Sequence, residues 1–253
     1  MKINLLHGDC LEVMKSIPDG SVDMVLTDPP YGTTACKWDT VIDLDKMWKQ
    51  LQRVIKPNGA IVLFGSEPFS SALRMSNINN YKYDWVWNKK RVSNPSMAKK
   101  QPLRILENIM LFYKHNYQPQ GLVKCTKKLG GNSKGSKGLS TAIKKLNYKQ
   151  EWTNYPVNLL KISADNYGKN CFHPTQKPVA LGQYLIRTYT NKGDTVLDFT
   201  AGSGSFGVAA ILEKRNFFNL HTKSNKLVSV TLFCFMGGAW QSWRRQRWWP
   251  RLR

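Results

Sequence analysis

A chain of 253 residues has room for one sizeable α/β core, or for such a core with a small inserted module. Its 38 Lys+Arg against 16 Asp+Glu leave a formal charge of +22, which would repel itself without a polyanionic partner, and nucleic acid is the first candidate. The five cysteines, Cys10, Cys36, Cys125, Cys171 and Cys234, are odd in number and contain no C-x-x-C pair, which argues against a disulfide framework, a zinc site or a redox dithiol and for a reduced, cytoplasmic protein.

The first nine residues run directly into a strand pattern, without the long apolar stretch of a signal peptide. Residues 3–6 read as a short strand, 11–17 as a helix and 22–27 as a second strand. Leu44, Met47, Trp48, Leu51, Val54 and Ile55 recur at helical spacing, and Pro57-Asn58-Gly59 reads as a stop before the apolar strand 60–64. This strand–helix–strand alternation predicts a mostly parallel sheet with helices on its faces and a ligand crevice beyond the carboxyl ends of the strands. From 89 to 148 the pattern loosens, becoming basic and Gly/Ser-rich around 129–138, and reads as an insertion with a mobile loop. Alternation resumes with a helix over 179–190, a strand over 195–199, a glycine-rich turn and a helix over 205–214. The organisation read from this is 1–88 and 151–217 as two halves of one domain, 89–150 as the insertion and 218–253 as an atypical basic tail.

Asp28-Pro29-Pro30-Tyr31 directly follows the strand 22–27, where a ligand crevice should open. Its chemistry suits methylation of an aromatic amine, whose lone pair is delocalised into the ring. If the Asp28 carboxylate and the Pro29 carbonyl both accept from one amino group, the nitrogen becomes pyramidal and its lone pair is freed. Pro29 and Pro30 fix the backbone that aims the carbonyl, and Tyr31 can stack on a base. The plainer alternative is a Pro-Pro turn with an exposed tyrosine. The second segment, Asp198-Phe199-Thr200-Ala201-Gly202-Ser203-Gly204-Ser205-Phe206-Gly207, follows a strand and opens a helix, so its backbone can approach a ligand closely. A dinucleotide site would want an acidic residue about 20 positions further on, and after Glu213 the chain has no Asp or Glu.

These two segments, with Gly8-Asp9-Cys10 and His173-Pro174-Thr175-Gln176-Lys177-Pro178 between and before them, resemble the DNA amino-methyltransferases in which Asp-Pro-Pro-Tyr comes first and the S-adenosylmethionine loop last. The resemblance covers residues 1 to about 217. It implies a circularly permuted Rossmann-like fold with an inserted target-recognition region, adenine N6 in double-stranded DNA as acceptor, and a phage or restriction–modification setting. By the same resemblance Asp28, Pro29, Pro30 and Tyr31 hold an everted adenine, and Asp198, Phe199, Ala201, Gly202, Ser203 and Gly204 line the methionine end of S-adenosylmethionine. Thr175 and Lys177 complete that pocket, Lys177 as a donor to the cofactor carboxylate, and Asp9 lies near the cofactor adenine. No metal is needed. Lys89, Lys90, Arg91, Lys99, Lys100, Arg104, Lys127, Lys128, Lys134 and Lys137 are available to phosphates, while Trp85, Trp87, Tyr113 and Tyr117 either stack on DNA or belong to the core.

Rival readings stay open at this point: cytosine N4 as the acceptor, or a DNA-binding relative that has lost catalysis. Cytosine C5 chemistry is disfavoured, because none of the cysteines follows a proline in a comparable loop. A homodimer is left open, and a membrane is not expected: the apolar run 227–240 is interrupted and shorter than the roughly 18 residues of a spanning helix. Beyond 217 the resemblance implies a strand ending in an acidic residue for the ribose, but His221 stands there, followed by Arg- and Trp-rich sequence without carboxylates. That shift reads as a frameshifted or truncated ending, with a genuine basic arm as the alternative.

Overall fold

In the computed structural model, which describes residues 1–34, 36, 39–125, 151–164 and 176–221, the larger of two compact units comprises residues 1–118 and those from 158 on. It begins with β1 (Ile3–His7), α1 (Cys10–Met14), β2 (Val22–Thr27), α2 (Leu44–Val54), β3 (Ile55–Gly65), α3 (Phe69–Met75), β4 (Tyr81–Asn88) and β5 (Leu106–Phe112). The smaller unit, Pro119–Val157, holds the antiparallel pair β6 (Val123–Lys124) and β7 (Trp152–Thr153). The chain returns to the larger unit with β8 (Leu159–Leu160), α4 (Val179–Tyr189), β9 (Thr195–Asp198), α5 (Ser205–Leu212) and β10 (Asn216–His221).

Eight strands form one sheet in the order β1-β10-β9-β2-β3-β5-β4-β8. Strands β1, β10, β9, β2 and β3 are mutually parallel, while β5 is antiparallel to both of its neighbours. Alternation along each strand splits the core between two faces. Met24, Leu26, Val62, Phe64 and Trp87 pack with Leu181, Leu185 and Phe206 of α4 and α5, whereas Val25, Ile61, Leu63 and Phe112 pack with Met47, Leu51, Phe69 and Leu73 of α2 and α3. Gly182 is required where α4 meets α5, because a Cβ there would stand 2.9 Å from the Ala209 Cβ. Helix starts are set by short acids: Asp9 accepts from the Leu11 and Glu12 amides at 2.9 and 3.3 Å, and Asp43 accepts from the Lys46 amide at 3.1 Å.

Several expectations are corrected. Pro57-Asn58-Gly59 do not form a turn before a strand, since β3 already starts at Ile55 and runs through them. The register against β2 slips between Val22 and Met24, so the proline's missing N–H falls at an irregularity of the ladder, and Lys56 reaches Asp23 at 2.7 Å. Residues 106–112, read as insertion, form β5 between β3 and β4, because Ile109–Phe112 is a buried apolar run. The separate unit is therefore narrower than 89–150 and extends to 157. Residues 218–221, assigned to the tail, complete β10 between β1 and β9. The loop 129–138 and the tail from 222 on lie outside the described residues. Among the described residues no helix is long and apolar enough to cross a membrane, and Cys10 and Cys36 are free thiols.

Candidate active site

Parallel pairing of β2 with β9 sets their carboxyl ends side by side, Met24 opposite Val196 and Val25 opposite Leu197. The two motifs that follow these strands are joined by hydrogen bonds. The Thr27 hydroxyl bonds the Asp198 carboxyl and lies 2.8 Å from the Thr200 hydroxyl, which donates to the Asp28 carbonyl at 3.1 Å. Burial pushes the Asp198 pKa up to about 7, although the hydrogen bonds it accepts from Thr27 and the Thr200 amide pull the other way.

Asp28 itself is engaged on both oxygens. Oδ1 lies 2.5 Å from the Tyr31 hydroxyl and Oδ2 lies 2.5 Å from the Lys177 ammonium. Lys177 also pairs with Glu107 at 3.0 Å and lies over the Phe64 ring, 5.3 Å from its centroid. The Tyr31 oxygen is 2.9 Å from Glu107, whose second oxygen is 3.5 Å from Lys89. One face of the Tyr31 ring stacks on Phe69 with centroids 5.1 Å apart. The side chains of Lys177 and Glu107 are 9% and 7% exposed, but Asp28 keeps 25%, so Asp28 is the member that a ligand can reach.

Burial raises the Asp28 pKa above the usual carboxylate range, with Lys177 opposing and Glu107 reinforcing the rise. Glu107 shifts the other way: burial works against its charge, but the Lys177 and Lys89 ammoniums outweigh it. Lys177 is raised, since the attraction of Asp28 and Glu107 overcomes its burial. Tyr31 is raised well above its ordinary value by burial and by the two carboxylates. Lys177 and Glu107 are therefore held in their charged forms.

The loop beyond the two prolines is organised by Asp39. Its oxygens accept from the amides of Tyr31, Gly32, Thr33 and Thr34 at 2.7, 2.9, 2.9 and 2.7 Å. Burial disfavours the Asp39 charge, but the hydrogen bonds from Thr34, Gly32 and Tyr31 prevail and lower its pKa.

Among the glycine-turn residues, Ala201 and Ser203 are buried, Gly202 has no atom within 4 Å of where a Cβ would stand, and Gly204 caps α5 with a φ of 76°. Phe199 has its side chain fully buried in the core with residues of α1 and α2. Lys177, expected at a cofactor carboxylate, is instead held by Asp28 and Glu107. Asp9 caps α1 at the end of the edge strand β1. Thr175 lies outside the described residues. Lys89, expected on phosphate, is the partner of Glu107, and Trp85 and Trp87 are core. Glu107 and Asp39 escaped sequence reading. A lone Glu in the apolar run 106–112 was the available signal for the first, since such a residue is rarely buried unless paired.

Residues 22–228 match the family described as DNA methylase, of the N6 and N4 type. The chain is 30% identical over 236 residues to the DNA adenine methyltransferase YhdJ of Escherichia coli (strain K12), covering 87% of this chain and 78% of that protein. Its fold is similar to that of the PvuII cytosine-N4-specific DNA methyltransferase, with a TM-score of 0.68, 19% identity and coverage of 94% and 88% of the two chains. It is also similar to M1.HpyAVI in its complex with SAM, with a TM-score of 0.59, 23% identity and coverage of 92% and 99%.

Proposed function

The chain belongs to the DNA methylase family, and from that premise we propose that it transfers a methyl group from S-adenosylmethionine to adenine N6 in duplex DNA. The observation that carries this reading is the partly exposed Asp28 carboxylate, fixed at the carboxyl end of β2 and tied through Thr200 and Thr27 to the turn after β9. An everted adenine beside Tyr31 would donate its amino hydrogens to Asp28 and to the Pro29 carbonyl, which frees the nitrogen lone pair for in-line attack. Lys177 holds the carboxylate in place and leaves it partly exposed to an arriving base.

The turn after β9 fits a cofactor: open space at Gly202 and the left-handed Gly204 at the start of α5 let backbone amides approach a ligand. Ala201, Gly202, Ser203, Gly204 and Asp198 would hold the methionine end and Asp9 the adenine end. Bound there, S-adenosylmethionine supplies an electrophilic methyl on a sulfonium sulfur that keeps the bonding pair as the methyl leaves. On the DNA side, Lys90, Arg91, Lys99, Lys100 and Arg104 are exposed on the segment joining β4 to β5, at the Asp28 end of the sheet. Such contacts position a duplex through its phosphates, and binding should weaken steeply as salt rises.

The test is to incubate the chain with unmodified genomic DNA and methyl-labelled S-adenosylmethionine, then digest the DNA and separate the bases. Label in N6-methyladenine is the expected result, label in N4-methylcytosine would shift the acceptor, and label in neither base would sink the reading. A second reading, a DNA-binding member with weak cofactor affinity, is favoured by His221 at the end of β10, where the resemblance leads one to expect an acid. Losing that acceptor should weaken cofactor binding by about 1.5–3 kcal/mol. Calorimetric titration with S-adenosylmethionine, before and after the ending from 218 on is replaced by a family-like one, separates the two.

A further inference from the structure

The partly buried quartet of Asp28, Tyr31, Glu107 and Lys177 contains two carboxylates and a single hydroxyl proton. Tyr31 has a single proton and two carboxylates in reach, Asp28 at 2.5 Å and Glu107 at 2.9 Å. Lys177 likewise bridges both, at 2.5 and 3.0 Å. Glu107 reaches this point from the opposite side of the site, on the antiparallel strand β5, where it pairs in register with Trp87 and is neutralised by Lys89. An amine approaching Asp28 would meet oxygens already loaded by two strong donors. Each donor that moves to Glu107 returns acceptor strength to Asp28.

We infer that Glu107 is a positioning residue for methyl transfer: it takes the Tyr31 hydroxyl and part of the Lys177 charge, leaving Asp28 open to the target amine. This rests on the reading of Asp28 as the amine's acceptor. The exchange needs no backbone movement, because both donors are within hydrogen-bond reach of either carboxylate. The ionisable groups facing Asp28 are Tyr31 beside it, Lys177 ahead of α4, Glu107 on β5 and Asp198 on β9. Among them Glu107 is the one held ionised by a cation of its own, Lys89. Burial and the neighbouring Glu107 charge raise Asp28 above its ordinary range, and Lys177 opposes them.

The experiment is a carbon-13 titration of the Asp28 carboxyl, assigned by its loss in Asp28→Asn, in the wild-type chain and in Glu107→Gln. Removing the Glu107 charge concentrates Lys177 and Tyr31 on Asp28, so its midpoint should fall by at least about one pH unit. Glu107→Asp, which withdraws the carboxylate by one methylene, should give a smaller shift in the same direction and serves if Glu107→Gln fails to fold. An unchanged midpoint in the folded variant would overturn the proposal. In turnover, Glu107→Gln should lower kcat at least about tenfold with little change in KM for DNA. A further Tyr31→Phe substitution, which removes the hydroxyl that needs an acceptor, should make the Glu107 change cost less. Additive losses would contradict the exchange. A wild-type chain without methyl transfer would refute the proposed function while the titration still reports on Glu107.

Discussion

Around Asp28, Glu107, Lys177 and Lys89 four formal charges surround one tyrosine hydroxyl, whereas further along the same strands and at the other end of α4 a second buried polar group is built from neutral side chains. There Trp85 Nε1 donates to the Tyr189 oxygen at 2.6 Å, Tyr189 lies 3.1 Å from the Tyr83 hydroxyl, and Tyr83 lies 3.0 Å from His115 Nε2. His115 Nδ1 is 3.0 Å from the Tyr113 carbonyl. With the proton on Nδ1 the row closes: every hydroxyl donates once, and the last donor ends on a carbonyl. Burial, aided by nearby Lys82, holds His115 below its ordinary pKa and therefore neutral. A closed row of this kind is a finished structural element. The charged group has exchangeable partners instead, and exchange is what an acceptor of a reacting amine requires.

The comparison is broken most sharply by Asp28→Ala. Methyl transfer should fall at least about a thousandfold, with DNA and S-adenosylmethionine affinities changed only a few fold, because the carboxylate acts on the reacting amine. Rates within tenfold of wild type would show that the charged group is structural, like its neutral counterpart. Lys177→Met should come next, lowering stability by about 3–5 kcal/mol in urea unfolding, since it leaves Asp28 and Glu107 buried without their shared cation. Tyr189→Phe should cost about 1–3 kcal/mol by stranding the buried Trp85 donor, with turnover of the folded protein retained. A fall in its kcat comparable to that of Asp28→Ala would erase the distinction between the two groups.

The pH dependence of stability has opposite signs in the two regions. Asp198 is raised from 3.8 to about 7 in the folded protein, so the folded state binds that proton more tightly and stability declines as pH rises through this window. His115 is lowered from 6.5, so its contribution is complete above that pH and declines as pH falls below it. Melting temperatures of Asp198→Asn should therefore fall less steeply than wild type as pH rises from 4 to 7. Those of His115→Gln should fall less steeply on the acid side.

Much of this was legible in residue order. Asp28-Pro29-Pro30-Tyr31 and the turn from Asp198 to Gly204 follow strands whose apolar runs are unambiguous, and parallel pairing then brings them together. What the order of residues hides is contact between distant segments. Glu107 is separated from Tyr31 by 76 positions and Lys177 from Asp28 by 149, so neither spacing could reveal the shared charges. Strand β5 was passed over because an antiparallel strand after a basic, irregular stretch breaks the alternation used to find the others. A lysine near a helix start suits any anion, so residue order alone does not reveal that Lys177 pairs with Asp28 and Glu107.

Asp39 bears on how fast and how often an encounter with DNA succeeds. Fixing one residue's backbone costs about 1–2 kcal/mol in conformational entropy. For residues 31–34 that ordering is completed during folding, around a carboxylate at most eight positions away. On the proposed function, a base arriving beside Tyr31 would meet a segment whose backbone is already ordered, which spares the encounter a search through its conformations. Asp39→Ala would return that search to the encounter, and a smaller share of collisions would lead to a bound base, although Asp39 lies behind the loop and its oxygens are taken up by backbone amides.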